Sequence, residues 1–192
     1  MATVLSIAGS PSRVSRTSGL LRHVGGRLAD RGHRVVSVEA RELPAEALLG
    51  GDRDHPDVAR VLDLVDRADG VVIGTPVFKA AYSGLLKALL DVMPQRGLAG
   101  KAVLPLATGG SAAHVLAVDY ALRPVLTSMG APFITQGWFV LDSRITVLAD
   151  GAVLLDPETE LVLGPLVDSF EGALDHLGAT AGEKRHVVSP AC

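Results

Sequence analysis

The segment that follows the first apolar run of the chain has the side chains of a phosphate site. Residues 9–18 read GSPSRVSRTS, with several hydroxyls, two arginines and no carboxylate, and a segment with helical periodicity follows. Free N–H groups and the positive end of the dipole at a helix N-terminus favour an anion, and hydroxyl and guanidinium groups add donors for a phosphate monoester. The segment therefore predicts phosphate binding. The alternative is a serine-rich loop in which Thr17 or Ser18 only caps the helix.

Two later segments contain residue types that suit contacts with the face and the edge of a flat ring. Residues 75–84, TPVFKAAYSG, place a turn-forming proline near two aromatic residues, in a chain that is only 4% aromatic. Residues 108–112, TGGSA, contain paired glycines, which let backbone N–H groups approach a ligand closely. The alternatives are that Phe78 and Tyr82 only anchor their loop to the core, and that the glycines form an ordinary turn.

The sequence favours no other site chemistry. The patterns G-x-G-x-x-G and G-x-x-x-x-G-K-[ST] are absent from the phosphate segment, which argues against a Rossmann site and a P-loop. A G-x-S-x-G elbow is also absent, which argues against an α/β-hydrolase. The histidines are scattered without H-E-x-x-H spacing, so no metal site is predicted.

Five apolar runs alternate with five segments of helical periodicity. The predicted strands are residues 3–8, 34–39, 70–75, 102–108 and 133–140. The predicted helices are residues 18–31, 57–68, 83–93, 112–129 and 158–177, and residues 145–155 form a hairpin or excursion. This alternation predicts an α/β fold with a parallel five-stranded sheet covered on both faces, in the flavodoxin-like order 2-1-3-4-5. Ligands bind such sheets beyond the carboxyl ends of the strands, so the three segments are expected to meet there.

Length, charge and cysteine content limit the remaining possibilities. The 192 residues predict one domain over residues 1–178 and a flexible C-terminal tail over residues 179–192. The net charge of −3 gives no electrostatic argument for a nucleic-acid partner. No apolar run approaches the ~18 residues that span a bilayer, and residues 1–8 lack the basic start of a signal peptide. The single cysteine, Cys192, cannot form an internal disulfide, so we expect a cytoplasmic protein.

Three stretches of the sequence resemble the NAD(P)H-dependent FMN reductases. They are GSPSRVSRTSGLL, TPVFKAAYSGLLKALLD and LPLATGGSAAHVLAVDYALRPVL. They look most like the reductase component of two-component alkanesulfonate monooxygenase systems, and the similarity extends from about residue 3 to residue 141. The resemblance implies a flavodoxin-like fold that binds FMN and reduces it with NADPH or NADH.

The same resemblance implies roles for individual residues. The FMN phosphate would be held by Ser10, Arg16, Thr17 and Ser18, with Ser15 nearby. The ribityl chain and ring would lie along Pro76, Val77, Phe78 and Ser83. The pyrimidine end of the isoalloxazine would meet Thr108, Gly109 and Gly110. Relatives usually have tyrosine where this chain has Phe78, so a hydroxyl is lost and the aromatic wall is kept.

Residues 117–124, AVDYALRP, predict an irregular helix. Pro124 has no N–H, so the carbonyl of Tyr120 would lose its usual helical partner, and an extra residue can be absorbed there as a π-bulge. In the resembling reductases the residue that matches Tyr120 is inserted in such a bulge, lies at a subunit interface and stacks near flavin. The residues alone leave open a proline-kinked core helix in which Tyr120 faces a neighbour.

The resemblance implies a reaction carried by the cofactors. A hydride would pass from C4 of the nicotinamide to N5 of the flavin, the N–H groups of Gly109 and Gly110 would stabilise the growing negative charge, and no catalytic acid or base would be essential. Reduced FMN would then leave for a partner monooxygenase of sulfur metabolism. The alternatives are a quinone, azo-dye or chromate reductase with tightly bound FMN, and a flavodoxin-type electron carrier. The resemblance also implies homodimers or homotetramers, and the choice between NADPH and NADH stays open.

Overall fold

A parallel sheet forms the centre of the protein, and the computed structural model describes residues 1–149 and 151–187. The strands are β1 Thr3–Ala8, β2 Arg34–Glu39, β3 Gly70–Phe78, β4 Ala81–Tyr82, β5 Ala102–Gly109, β6 Phe133–Ile134, β7 Trp138–Leu141, β8 Ile145–Val147 and β9 Val153–Leu155. The main order is β2-β1-β3-β5, with β6 and β7 both pairing with β5, and all these pairs are parallel. The predicted α/β class and the order 2-1-3-4-5 are therefore confirmed.

Helices cover both faces of the sheet. They are α1 Arg16–Asp30, α2 Ala45–Gly50, α3 Pro56–Arg67, α4 Gly84–Val92, α5 Arg123–Ser128 and α6 Pro157–Val187. The apolar sides of α1 and α6 pack together on one face of the sheet. The apolar sides of α2, α3, α4 and α5 pack on the other face. With both faces buried, the strands are apolar on both sides, as the sequence pattern indicates.

The predicted fifth strand is split into β6 and β7, and Pro105 in β5 explains the break. The carbonyl of Val103 accepts a hydrogen bond from Thr135 N at 2.9 Å. Pro105 lies two residues further along β5 and faces the same side, but it has no N–H to donate. The ladder therefore stops at β6 and resumes at β7, which pairs with β5 from Leu106 onwards.

Two predictions near the C-terminus can be compared with the structure. The hairpin expected within residues 145–155 is present as the antiparallel pair β8–β9. Helix α6 extends to Val187, ten residues past the predicted end at Leu177, and so overlaps the expected tail over residues 179–192. Residues 188–192, including Cys192, lie outside the described residues. None of the described helices is both long and apolar enough to cross a membrane.

Candidate functional site

Side-chain hydrogen bonds join the loops that follow β1, β3 and β5 at the carboxyl edge of the sheet. The hydroxyls of Thr17 and Thr108 are 2.7 Å apart and buried, which links the start of α1 to the end of β5. The hydroxyl of Ser83 donates to the carbonyl of Gly9, which links the end of the β3 loop to the β1 loop. The three segments that the sequence singled out are therefore brought together at one edge.

Most hydroxyls of the phosphate segment are used within the protein. Ser15 is the N-cap of α1 and accepts a hydrogen bond from Ser18 N at 3.1 Å. The hydroxyl of Ser18 donates to Glu39 at 2.9 Å, and the hydroxyl of Ser10 accepts a bond from Ser12 N at 3.3 Å. The helix is therefore capped by Ser15, and the alternative in which Thr17 or Ser18 is the cap is wrong. The O–H group of Ser18 is committed to Glu39, whereas Ser10 and Ser15 only accept in these bonds, so within the described residues their O–H groups stay available to donate to an anion.

The guanidinium of Arg16 and the first N–H groups of α1 are further donors at this segment. Arg16 is exposed, and no ion pair or hydrogen bond with another described residue occupies its side chain. The N–H groups of Arg16 and Thr17 likewise have no acceptor within the described residues, and the first turn of α1 contains no acidic residue. Unpaired donors at the positive end of a helix fit a phosphate group.

The segment after β3 forms a tight hairpin whose backbone is strained. Strand β3 continues to Phe78, past its predicted end at Thr75, and pairs with β4 through Val77–Tyr82 and Phe78–Ala81. The two residues of the turn, Lys79 and Ala80, have φ values of 51° and 64°. A two-residue hairpin turn of this kind favours glycine or asparagine, and other residues pay a conformational cost there.

The two aromatic residues of this hairpin have different surroundings. Tyr82 packs against the core, so the anchoring alternative applies to it. Phe78 is 50% exposed at the carboxyl edge, where its ring is free to act as a wall. Ser83, which the resemblance puts beside the ribityl chain, caps α4 by accepting from Leu86 N while it donates to Gly9. Its hydroxyl therefore positions the loops.

The two glycines at the end of β5 differ in how closely other atoms of the protein surround them. A Cβ at Gly109 would lie 3.0 Å from Phe139 Cε2, so this glycine allows close packing inside the protein. At Gly110 the nearest atom to such a Cβ would be Asp142 Oδ2 at 4.0 Å, and the Gly110 N–H has no acceptor among the described residues. Gly110 is therefore the residue of the pair whose backbone a ligand can reach.

The predicted helix over residues 112–129 is wrong as a single helix, and the predicted bulge explains why. The segment is a 3-10 turn at Ala112–His114, a π-helix at Val118–Leu122, and α5 from Arg123. Tyr120 lies in the middle of the π-helix and is 79% exposed, and Pro124 follows in the first turn of α5. The exposure of Tyr120 does not agree with the alternative of a core residue.

Several positioning residues were not anticipated from the sequence. Glu39 at the end of β2 accepts the hydrogen bond of Ser18, and Thr75 accepts one from Ser83 N at 2.9 Å. Gly9 is required because a Cβ there would lie 2.6 Å from Leu86 Cβ. Glu39 ends β2, and Thr75 ends the third strand as predicted from the sequence, and these positions were the one available signal. Across the described residues, no group of three His, Cys, Asp or Glu side chains is arranged to hold a metal ion.

Comparisons with known proteins agree on one family. A family model described as NADPH-dependent FMN reductase matches residues 2–145. The chain is 52% identical over 142 residues to an FMN reductase (NADPH) of Pseudomonas putida KT2440, covering 74% of this chain and 72% of that protein. It is 46% identical over 142 residues to an FMN reductase (NADPH) of Escherichia coli K12, covering 74% of each.

Solved structures agree with this relationship. The apo form of the NADH:FMN oxidoreductase EMOB superposes with a TM-score of 0.76 at 39% identity, covering 94% of this chain and 90% of that one. A flavodoxin from the domain Archaea superposes with a TM-score of 0.53 at 9% identity, covering 92% of this chain and 99% of that one. The second match concerns the fold alone, and it identifies the fold as flavodoxin-like.

Proposed function

The chain belongs to the NADPH-dependent FMN reductase family, and we propose that it supplies reduced flavin to a partner monooxygenase. It is an NAD(P)H:FMN oxidoreductase, with FMN and a reduced nicotinamide as its cofactors. The observation that carries the site proposal is the set of unpaired donors at Arg16 and the start of α1, at the same edge of the sheet as the exposed ring of Phe78.

We assign the phosphate of FMN to Arg16 and to the free N–H groups of Arg16 and Thr17. Ser10, Ser15 and Ser18 hold this loop through the hydrogen bonds described above, and Thr17 fixes it to Thr108. A charge-assisted contact from a guanidinium is about twice as strong as a neutral hydrogen bond, so Arg16 contributes the largest share of phosphate recognition.

The ring would lie between the β3–β4 hairpin and the glycine segment, along Pro76, Val77 and Phe78. When bound, FMN supplies the ring atom that accepts a hydride from the nicotinamide. The N–H of Gly110 would donate toward the pyrimidine edge, where negative charge accumulates. The chain's residues thus bind and orient the rings, and we propose no essential acid or base.

The release of reduced flavin is consistent with an open site. The guanidinium of Arg16 is solvent-exposed and Phe78 is half exposed, so few contacts would enclose the ligand. Two relatives from Pseudomonas putida, at 35% and 34% identity, are NADH-dependent FMN reductases named SfnF and SfnE. Together with the resemblance to reductases of two-component alkanesulfonate monooxygenase systems, these features support a role in sulfur metabolism.

We also propose that the protein forms a homodimer or homotetramer through the surface around the π-helix. Phe78, Val115, Leu116 and Tyr120 are large exposed apolar residues of two site segments, and these segments contact each other through β4 and the π-helix. An exposed apolar patch of this kind marks an interaction surface. Light scattering of the wild type and of Tyr120→Ala tests this, and a wild-type monomer at all concentrations would exclude it.

An anaerobic assay tests the function. Oxidation of NADPH and of NADH is measured with no flavin, FMN, FAD and riboflavin in turn. We expect turnover that requires added FMN and reduced FMN that passes through a dialysis membrane. Turnover with a quinone and no added flavin, by protein that keeps its FMN on dilution, would support the tightly bound quinone, azo-dye or chromate reductase instead. No nicotinamide oxidation under any condition would support an electron carrier.

A further inference from the structure

A carboxylate without a partner lies next to the one glycine of the site that a ligand can reach. The parallel register pairs Gly109 of β5 with Leu141 of β7, so the residues that follow, Gly110 and Asp142, leave the sheet side by side at its carboxyl edge. The nearest atom to a Cβ built at Gly110 is Asp142 Oδ2, at 4.0 Å. Because this Cβ and the amide nitrogen are bonded to the same Cα, the free N–H of Gly110 and the carboxylate of Asp142 border one opening.

The fold fixes the backbone of Asp142 and leaves its side chain free. The carbonyl of Asp142 accepts a hydrogen bond from the N–H of Ile145, which is buried in the core. The half-buried carboxylate has no hydrogen bond or ion pair with any described residue. Arg144, two residues further on, is 2.6 Å from Glu158 and 3.5 Å from Asp156, so these two carboxylates balance its charge. A partly desolvated carboxylate of this kind gains free energy when a ligand donates to it.

A donor and an acceptor side by side match the pyrimidine edge of an isoalloxazine. That edge has the carbonyl oxygen O2, which accepts hydrogen bonds, next to N3–H, which donates one. The N–H of Gly110 can donate to O2, and the carboxylate of Asp142 can accept from N3–H. A bond from N3–H to a carboxylate is charge-assisted, so it is stronger than a bond between two neutral groups.

We propose that Asp142 binds the N3–H of oxidised FMN and that its charge weakens the binding of reduced FMN. The proposal rests on the proposed function, because it takes the ring to lie beside Gly110. Reduced flavin that has lost its N1 proton carries negative charge at the same pyrimidine edge, and a second negative charge close by disfavours it. The N–H of Gly110 attracts that charge and the carboxylate of Asp142 opposes it. Asp142 therefore favours release of the reduced flavin.

The first test uses a flavin that lacks the N3 donor. In 3-methyl-FMN a methyl group replaces the N3 proton and the phosphate is unchanged. We expect the wild type to bind this analogue at least about tenfold more weakly than FMN in calorimetric titration, because a charge-assisted bond is lost. Asp142→Ala removes the acceptor and makes room for the methyl group, so the two flavins should bind to it almost equally. No difference in the wild type, or a difference of the same size in Asp142→Ala, would overturn the proposal.

The second test separates the charge of Asp142 from its capacity to accept a hydrogen bond. Asp142→Asn keeps an oxygen that can accept from N3–H and removes the charge. We expect the Kd for reduced FMN to fall about fivefold relative to that for oxidised FMN, in anaerobic titrations at mildly alkaline pH. Asp30→Asn is the matched control, since it removes an exposed negative charge at the far end of α1, and it should leave this ratio unchanged. The same ratio in Asp142→Asn as in the wild type would contradict the role of the charge.

Two further outcomes separate this proposal from its neighbours. A raised KM for NADPH in Asp142→Ala, with the Kd values for FMN and 3-methyl-FMN both as in the wild type, would assign the carboxylate to the carboxamide of the nicotinamide and overturn the proposal. A wild type that binds neither flavin contradicts the proposed function itself. Equal binding of FMN and 3-methyl-FMN contradicts only the role of Asp142.

Discussion

The amino edge of the central sheet, where the parallel strands begin, and the carboxyl edge, where they end, use their polar residues in different ways. At the amino edge, Asp69 accepts a hydrogen bond from Thr3 N at 2.7 Å, and Lys101 donates to the carbonyls of Asp66 and Ala68 at 2.8 Å each. His33 contacts both Ala2 N and the carboxylate of Glu171. These groups stabilise the fold and have little binding capacity left.

At the carboxyl edge, charged groups stand without partners and the backbone is strained. The side chains of Arg16 and Lys79 have no hydrogen bond or ion pair within the described part of the chain. Lys79 and Ala80 adopt positive φ values, and a strained turn is maintained only when its surroundings require it. The combination of an unpaired guanidinium with free N–H groups at the start of a helix and a strained turn therefore distinguishes the edge at which we propose that FMN binds. The amino edge also has a cleft, of about 360 Å³, but His33 and Asp69 in its lining are already paired.

The largest effect that separates the two edges is expected for Arg16→Ala. Loss of a charge-assisted contact of about 1.5–3 kcal/mol should weaken FMN binding roughly 10- to 100-fold. The melting temperature should not change, because Arg16 makes no described side-chain contact within the protein. Calorimetric titration and a thermal melt provide the two readings. Arg34→Ala, at the amino edge, is the control and should alter neither.

For Lys101→Met we expect the reverse result, a loss of stability without a loss of FMN affinity. This change removes a buried ammonium that satisfies two carbonyls, and it should lower the free energy of unfolding by about 2 kcal/mol. Urea titration measures the loss, and the Kd for FMN should be the same as in the wild type. A large change in FMN affinity without a loss of stability would mean that the amino edge takes part in binding.

The contribution of Lys101 to the free energy of unfolding depends on pH. Burial lowers the pKa of Lys101 below its usual value of 10.5. Between the lowered pKa and 10.5 the unfolded chain binds more protons than the folded protein, so wild-type stability rises with pH through that window relative to Lys101→Met. The urea titrations are therefore repeated at several pH values up to 10.5.

A smaller effect on stability is expected from the hydrogen bond between the hydroxyls of Thr17 and Thr108 at the carboxyl edge. Thr17→Val leaves the buried hydroxyl of Thr108 without a partner and should cost about 1–2 kcal/mol of stability. The double variant Thr17→Val/Thr108→Val removes both partners and should recover part of that loss. Additive losses in this cycle would show that the two hydroxyls do not interact.

The smallest effect is expected for Ala80→Gly. Glycine adopts the positive φ of this turn without steric cost, so stability should increase by up to about 1 kcal/mol. Ala88→Gly is the matched substitution inside α4, and there the same change should decrease stability by about 0.5–1 kcal/mol. Equal losses from the two substitutions would argue that the turn is not strained.

The sequence predicted the parts of the fold that depend on local patterns. The strand positions, the strand order and the irregular helix at Pro124 follow from apolar runs, crossover handedness and a missing N–H, and all three are present. The split between β6 and β7 was not predicted, because it depends on which side of β5 Pro105 faces. Helix α2 was also missed, since it is only six residues long.

The site was predictable as a set of loops and less so as a set of contacts. The serines around Arg16 were expected to contact phosphate, and the structure uses Ser15 and Ser18 for capping and for a bond to Glu39. The partner of each hydroxyl depends on side chains far away in the sequence. For the same reason, the strain at Lys79 and Ala80 was not visible before the chain was folded.

A crystal structure with FMN bound tests the central claim most directly. We predict the phosphate within hydrogen-bond distance of the Arg16 guanidinium and the first turn of α1, and the ring beside Phe78 and Gly110 with one face open to solvent. Density for FMN at any other position, or none at the carboxyl edge at a saturating FMN concentration, would contradict the account.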